Sequence, residues 1–160
     1  MRKSMAATNA KTLFVDTNVL IYATDPQSPF QPIADQLLEQ AYTTDLVMAL
    51  SPQVLREYLA VAARASSAGG RMQLADALEN VESFRSAMHI LEEGSASLDQ
   101  LTELLHQIPT AGRRVHDANI VATMLAHGIQ RLVTHNTADF ARFAHLIEIV
   151  PLVPPTTLAE

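Results

Sequence analysis

At 160 residues, with 48% hydrophobic and 18% charged side chains, the chain is sized for one domain with a substantial core, and its composition excludes intrinsic disorder. It has no cysteine, which excludes disulfide frameworks, thiol nucleophiles and cysteine-based zinc sites together. A formal net charge of −6 argues against a general electrostatic footprint for nucleic acid, but leaves room for an acidic site that meets phosphate through a cation.

Residues 1–10 read as a lead-in in which Arg2 and Lys3 precede no apolar stretch, so no signal peptide is expected. No run approaches the ~18 apolar residues that cross a bilayer. A cytoplasmic protein with no membrane association is the expectation. Residues 12–15 predict the first buried strand, in which Leu13, Phe14 and Val15 form the short apolar run of a parallel strand. Asp16 stops that run, and apolar character restarts at Val19, so a helix is predicted over 18–23. Asp16 and Asn18 are good helix caps. Asp16 also stands at the carboxyl edge of a sheet, where open α/β folds put their chemistry. A proline-punctuated loop spans 25–32, and Ile33, Leu37 and Leu38 place a helix over 33–42.

Residues 46–50 are a second strand candidate. Ser51-Pro52 is a strong helix start, with a hydroxyl cap and a proline at the first helical position. Val54, Leu55, Tyr58 and Leu59 give this helix a broad apolar face, and Glu57 lies at its margin. Ser66-Ser-Ala-Gly-Gly70 predicts a flexible break, followed by a helix over 72–85 and a short strand over 88–91. Ser97-Leu-Asp-Gln100 fits a capping box that opens a helix to 107, and 109–112 breaks the chain again.

The helix over 115–127 is the most informative. Ile120, Val121, Met124 and Leu125 fall on the same face as Asp117. A carboxylate there needs an arginine, several hydrogen bonds or a cation. Gly128 closes the helix, 131–134 is the next buried strand, and a polar turn carries the chain to Asp139, itself a candidate cap. A short strand over 147–150, at a sheet edge, and a proline-rich tail end the chain. No repeat or composition shift marks a second domain. Strands alternating with helices imply an α/β fold with a mainly parallel sheet and helices on both sides. Asp16 and Asp139 then follow strands, Glu57 lies in the second turn of its helix, and Asp117 in the first turn of another. Four acids converging on one cleft repel one another without a cation, and Mg²⁺ or Mn²⁺ suits such oxygen-rich sites.

The sequence at this point resembles the PIN-domain ribonucleases, most closely the VapC toxins of VapBC toxin–antitoxin systems. Val15-Asp-Thr-Asn-Val-Leu-Ile-Tyr22 is similar to the opening motif, and Gln53-Val-Leu-Arg-Glu-Tyr58 to the segment carrying the second acid. Val115-His-Asp-Ala-Asn-Ile-Val-Ala-Thr123 and Leu132-Val-Thr-His-Asn-Thr-Ala-Asp-Phe140 are similar to the two C-terminal motifs. The resemblance implies a PIN-like three-layer α/β/α domain over 11–151 with about five strands, flanked by extensions at 1–10 and 152–160. It implies metal-ligating, catalytic acids Asp16, Glu57, Asp117 and Asp139, supported by Thr17, Asn18, Thr134 and Asn136. This chain has Asn136 where some relatives have an acid. Arg113 and Arg114 would steady substrate phosphates, unless they are ordinary solvated loop charges. The implied reaction is phosphodiester hydrolysis in RNA with one or two Mg²⁺ or Mn²⁺ ions, by an endoribonuclease that self-associates as a homodimer and is blocked by an antitoxin protein.

Competing readings fit less well. A haloacid-dehalogenase-type phosphatase wants a second Asp where Asn18 stands, and a response-regulator receiver wants a late lysine where this chain has none. The nucleophile elbow of serine hydrolases is absent, and the six histidines lack the spacing of a zinc protease. A PIN-like module that only binds RNA or protein, and a metal-dependent DNase, stay open as alternatives.

Overall fold

The computed structural model of the protein describes residues 11–69 and 72–153. The lead-in at 1–10, Gly70, Arg71 and the tail beyond residue 153 lie outside the described residues. Five strands form one sheet: β1 (Leu13–Val15), β2 (Met48–Leu50), β3 (His89–Ile90), β4 (Arg131–Thr134) and β5 (Glu148–Pro151). Their order is β3-β2-β1-β4-β5 and every neighbouring pair is parallel. β1 is central and fully covered on both faces, the environment that a continuous apolar run requires. β5 takes an edge, as expected, and β3 the other.

Four helices lie along the path from β1 to β3: α1 (Thr17–Ala23), α2 (Gln31–Thr43), α3 (Pro52–Gly69) and α4 (Leu74–Ala87). Helices α5 (Ser95–Gln107) and α6 (Arg114–Ala126) connect β3 to β4. A short α7 (Thr137–Phe140) and a 3₁₀ turn at Ala141–Phe143 connect β4 to β5. The strand order steps one way from β1 to β3, then jumps back across β1 to β4. Right-handed crossovers therefore put α1–α4 on one face and α5–α7 on the other. The packing follows: α1 rests on α2 and α3, α3 on α4, and α5 on α6. The result is the three-layer α/β/α arrangement with an all-parallel sheet. The winding reverses between β1 and β4, so the chain leaves their carboxyl ends toward opposite layers and opens a crevice there.

Two local expectations are corrected. The break predicted at 66–70 is instead helix as far as Gly69, since α3 runs on through that small-residue stretch. The capping box at Ser97 does not form: α5 begins at Ser95 behind an extended Gly94, and Ser97 is buried inside the helix, donating to the Glu92 carbonyl at 3.4 Å. The predicted end of α6 is observed. Gly128 adopts φ 70°, and the Ile129 N–H reaches back to the Met124 carbonyl at 2.9 Å, turning the chain into β4. Among the described residues no helix is long and apolar enough to cross a membrane.

Candidate functional site: an acidic cleft at the carboxyl edge

Asp16 is the first residue past β1. Its N–H continues the ladder to the Val133 carbonyl at 3.1 Å, so its position is set by the pairing of β1 with β4. Capping and site-building turn out to be one arrangement. Asp16 is the N-cap of α1, and its Oδ1 accepts from the Thr17 N–H at 2.8 Å. Its Oδ2 accepts from the Thr134 hydroxyl at 2.7 Å and the Asn18 amide at 3.1 Å. Asn18 also donates to Thr134 at 3.1 Å, while its Oδ1 accepts from the His135 N–H at 3.0 Å. The Thr134 hydroxyl in turn accepts from the Asn136 N–H at 3.0 Å. One amide side chain thus ties the end of β1 to the end of β4.

Glu57, in the second turn of α3, is half-buried and held from two sides. The Thr17 hydroxyl donates to Oε2 at 3.0 Å and Gln53 Nε2 to Oε1 at 2.9 Å. Gln53 is buried and also donates to the His116 carbonyl at 2.9 Å, while its Oε1 accepts from Asn119 at 2.6 Å. Gln53 and Asn119 thereby clamp α3 to the first turns of α6, which carry Asp117. Sequence reasoning missed both, because their partners lie 63 and 66 residues away.

Asp117 is half-buried rather than enclosed by its apolar face, and Asp139 is exposed. All four acids line one cleft of about 540 Å³, together with Thr17, Asn18, Asn136 and Arg113. Arg114 is exposed and is not among the residues lining this cleft; its carbonyl accepts from Arg142 at 3.2 Å. Arg142 is a second residue that sequence reasoning overlooked. It lies 4.8 Å over the Phe143 ring, and its charge partly offsets the acids around Asp117.

The electrostatics are those of four carboxylates gathered at one cleft, with Arg142 the opposing charge on Asp117. Burial pushes the Asp16 carboxyl up from 3.8 to about 6, against the hydrogen bonds from Thr134 and Thr17, and Glu57 and Asp117 push the same way. Asp117 is also raised, first by burial and then by Asp139, with Arg142 opposing. Among the described residues no three acidic or histidine side chains are drawn close enough to hold a metal ion. Thr17 and Gln53 keep Glu57 tethered to the wall of the cleft.

A doubly wound parallel sheet with acids at its switch point defines the class, and the family model of the PIN domain matches residues 13–146. The chain belongs to the PIN-domain family. It is 31% identical over 130 residues to Ribonuclease VapC48 of Mycobacterium tuberculosis, covering 80% of this chain and 89% of that one. The fold is similar to that of VapBC2 from Rickettsia felis bound to a promoter DNA fragment, with a TM-score of 0.65, 22% identity, and coverage of 89% and 99%. It is also similar to VapC20 of M. tuberculosis, a Sarcin-Ricin loop cleaving toxin, with a TM-score of 0.63, 18% identity, and coverage of 87% and 99%.

Proposed function

We propose that this chain is a divalent-metal-dependent endoribonuclease that hydrolyses phosphodiester bonds in RNA, and the toxin of a toxin–antitoxin pair. The observation that carries the reading is the joint lining of one cleft by Asp16, Glu57, Asp117 and Asp139, in a chain whose relative is a VapC ribonuclease. PIN-domain ribonucleases are generally dependent on divalent metal. The donor set here fits that requirement: all four groups are hard carboxylate oxygens, and a cation would offset the burial that raises Asp16 and the smaller push from Glu57 and Asp117.

The four acids would hold one or two Mg²⁺ or Mn²⁺ ions. Such an ion would lower the pKa of a bound water and offset charge developing on the phosphate. The chain's own contribution is positioning. Three donors fix both oxygens of Asp16, and Thr17 and Gln53 fix both oxygens of Glu57, so neither carboxylate has to be ordered when substrate arrives. Arg113, on the cleft wall, steadies a substrate phosphate. An antitoxin segment that blocks this cleft would present Arg or Lys to the acids. The cytoplasm, where RNA and antitoxin are made, is the site of action.

Chelator-treated protein incubated with single-stranded RNA should cut it on addition of Mg²⁺ or Mn²⁺, and Asp117→Asn should abolish cutting while remaining folded. Undiminished turnover by that variant removes the acids from the mechanism, and preferential cutting of single-stranded DNA makes the protein a DNase. Co-expression with a short neighbouring reading frame should restore growth and yield a co-purifying complex. Light scattering at micromolar concentration tests the homodimer.

A further inference from the structure

Beside the acidic cleft lies a cluster of three rings that the proposed reaction does not use. Tyr22 is one turn beyond Asn18 on α1 and lines the cleft itself. Phe30 comes from the loop before α2, where its N–H is held by the Ser28 hydroxyl at 3.1 Å. His135 follows Thr134 at the end of β4. The ring centroids are 5.1 Å apart for Tyr22 and Phe30, 4.4 Å for Phe30 and His135, and 5.4 Å for Tyr22 and His135, the last pair edge-on at 85°.

The cluster differs from the core aromatics in exposure. Phe14, Phe140 and Phe143 are fully enclosed, whereas Tyr22, Phe30 and His135 are each only half-buried. It is also held in register with the catalytic acids. The Asn18 side chain that donates to Asp16 accepts the His135 N–H, so the ring and the carboxylate share one anchor. Charge alone cannot hold RNA here. Among the described residues that line the cleft, Arg113 is the one cation against four carboxylates, and the chain as a whole is at −6. Electrostatic attraction to the phosphate backbone is correspondingly weak. Single-stranded RNA is commonly held instead by stacking of splayed bases on Tyr, Phe and His rings.

We propose that Tyr22, Phe30 and His135 form a stacking platform for one base of the RNA substrate, next to the phosphate presented to the acids. The platform rests on the ribonuclease reading and adds to it a subsite for a nucleobase. Tyr22 lines the cleft, and Phe30 and His135 pack against its ring. The platform sets where along a strand the scissile phosphate falls, without reading the identity of the base strongly, since every base has a stacking face.

The test is a cycle between protein and RNA. The probe is a fluorescein-labelled single-stranded RNA of about 12 nucleotides, taken from sequences that the wild type cuts in a randomised pool. Binding is read by anisotropy in the Asp117→Asn background, which prevents turnover. Tyr22→Leu should weaken binding about tenfold, and Tyr22→Phe should change it less than about twofold. The same probe is then scanned with abasic nucleotides. At one position the abasic substitution should cost about tenfold with Tyr22 present and nothing further with Leu in its place. The abasic scan leaves the protein unaltered, and His135→Leu repeats the cycle should Tyr22→Leu melt early. Losses that multiply at every position, for both protein variants, overturn the platform and leave the rings as packing alone. RNA that is cut in a metal- and Asp117-dependent way under that outcome leaves the ribonuclease reading standing. Failure to bind or cut any RNA overturns both.

Discussion

Asp16→Asn should stabilise the metal-free protein at neutral pH and destabilise it slightly in acid. In the unfolded chain the carboxyl ionises at its ordinary 3.8; in the fold it does so at about 6. Between those values the folded state binds more protons, so stability falls as pH rises from about 4 to 6, and above 6 the full cost persists. At 1.36 kcal/mol per pH unit, that gap costs about 3 kcal/mol. The residue is only 7% exposed, so solvent screening does not erase it. An asparagine retains the acceptor for the Thr17 N–H but turns an amide toward the Asn18 amide, losing a hydrogen bond worth about 1 kcal/mol. The net gain at pH 7 is therefore about 2 kcal/mol, or roughly 5 °C for a domain of this size. Urea unfolding with chelator present, from pH 4 to 7.5, checks it. Wild-type and variant curves should cross at pH ~4.5. Parallel curves would mean that Asp16 carries no strain from burial and its acidic neighbours, and the electrostatic account of the cleft would fail.

Added Mg²⁺ or Mn²⁺ at ~100 times its dissociation constant should stabilise the wild type by roughly 2.7 kcal/mol, while Asp16→Ala should lose most of the shift in a thermal melt. Equal shifts would put the ion elsewhere. Gln53→Leu strands Glu57, the His116 carbonyl and Asn119 at once, and should lower the melting temperature by roughly 5–10 °C. Its cleavage rate should fall along with the stability; an unchanged rate would show that Glu57 needs no clamp. Gly128→Ala forces a side chain into φ 70° and should cost about 1–2 kcal/mol in chemical denaturation without altering RNA cleavage.

What the sequence disclosed and what it withheld divide along physical lines. Buried parallel strands are continuous apolar runs, so β1 and β4 were legible, and with them Asp16 and Thr134 at their ends. Asp117 was legible because a carboxylate among Ile120, Val121 and Met124 demands an explanation. Its environment was less enclosed than that spacing implied, since the first turn of α6 borders the cleft. Gln53 was illegible: an uncharged amide near a helix start has no periodicity to betray it, and all its meaning lies in distant partners. Arg142 belongs to the same category, 25 positions beyond the acid whose charge it offsets. The misplaced start of α5 shows the limit of cap motifs. Ser97 has the right neighbours for a capping box, but packing turned its hydroxyl inward.

The strand order also bears on how the protein is born. β1 is the first of the five strands to be made, yet one of its two neighbours is β4, and the bond from Thr134 to Asp16 closes a loop of 118 residues. At ~5–20 residues per second, Asp16 waits roughly 6–24 s for that partner. Until then β1 has an open side, and the cleft lacks Thr134, Asn136 and Asp139 altogether. A nascent chain therefore lacks the complete cleft. The same ordering leaves one side of β1 open longer than that of any other interior strand, so slow translation of the middle helices should be felt first as aggregation rather than as premature activity.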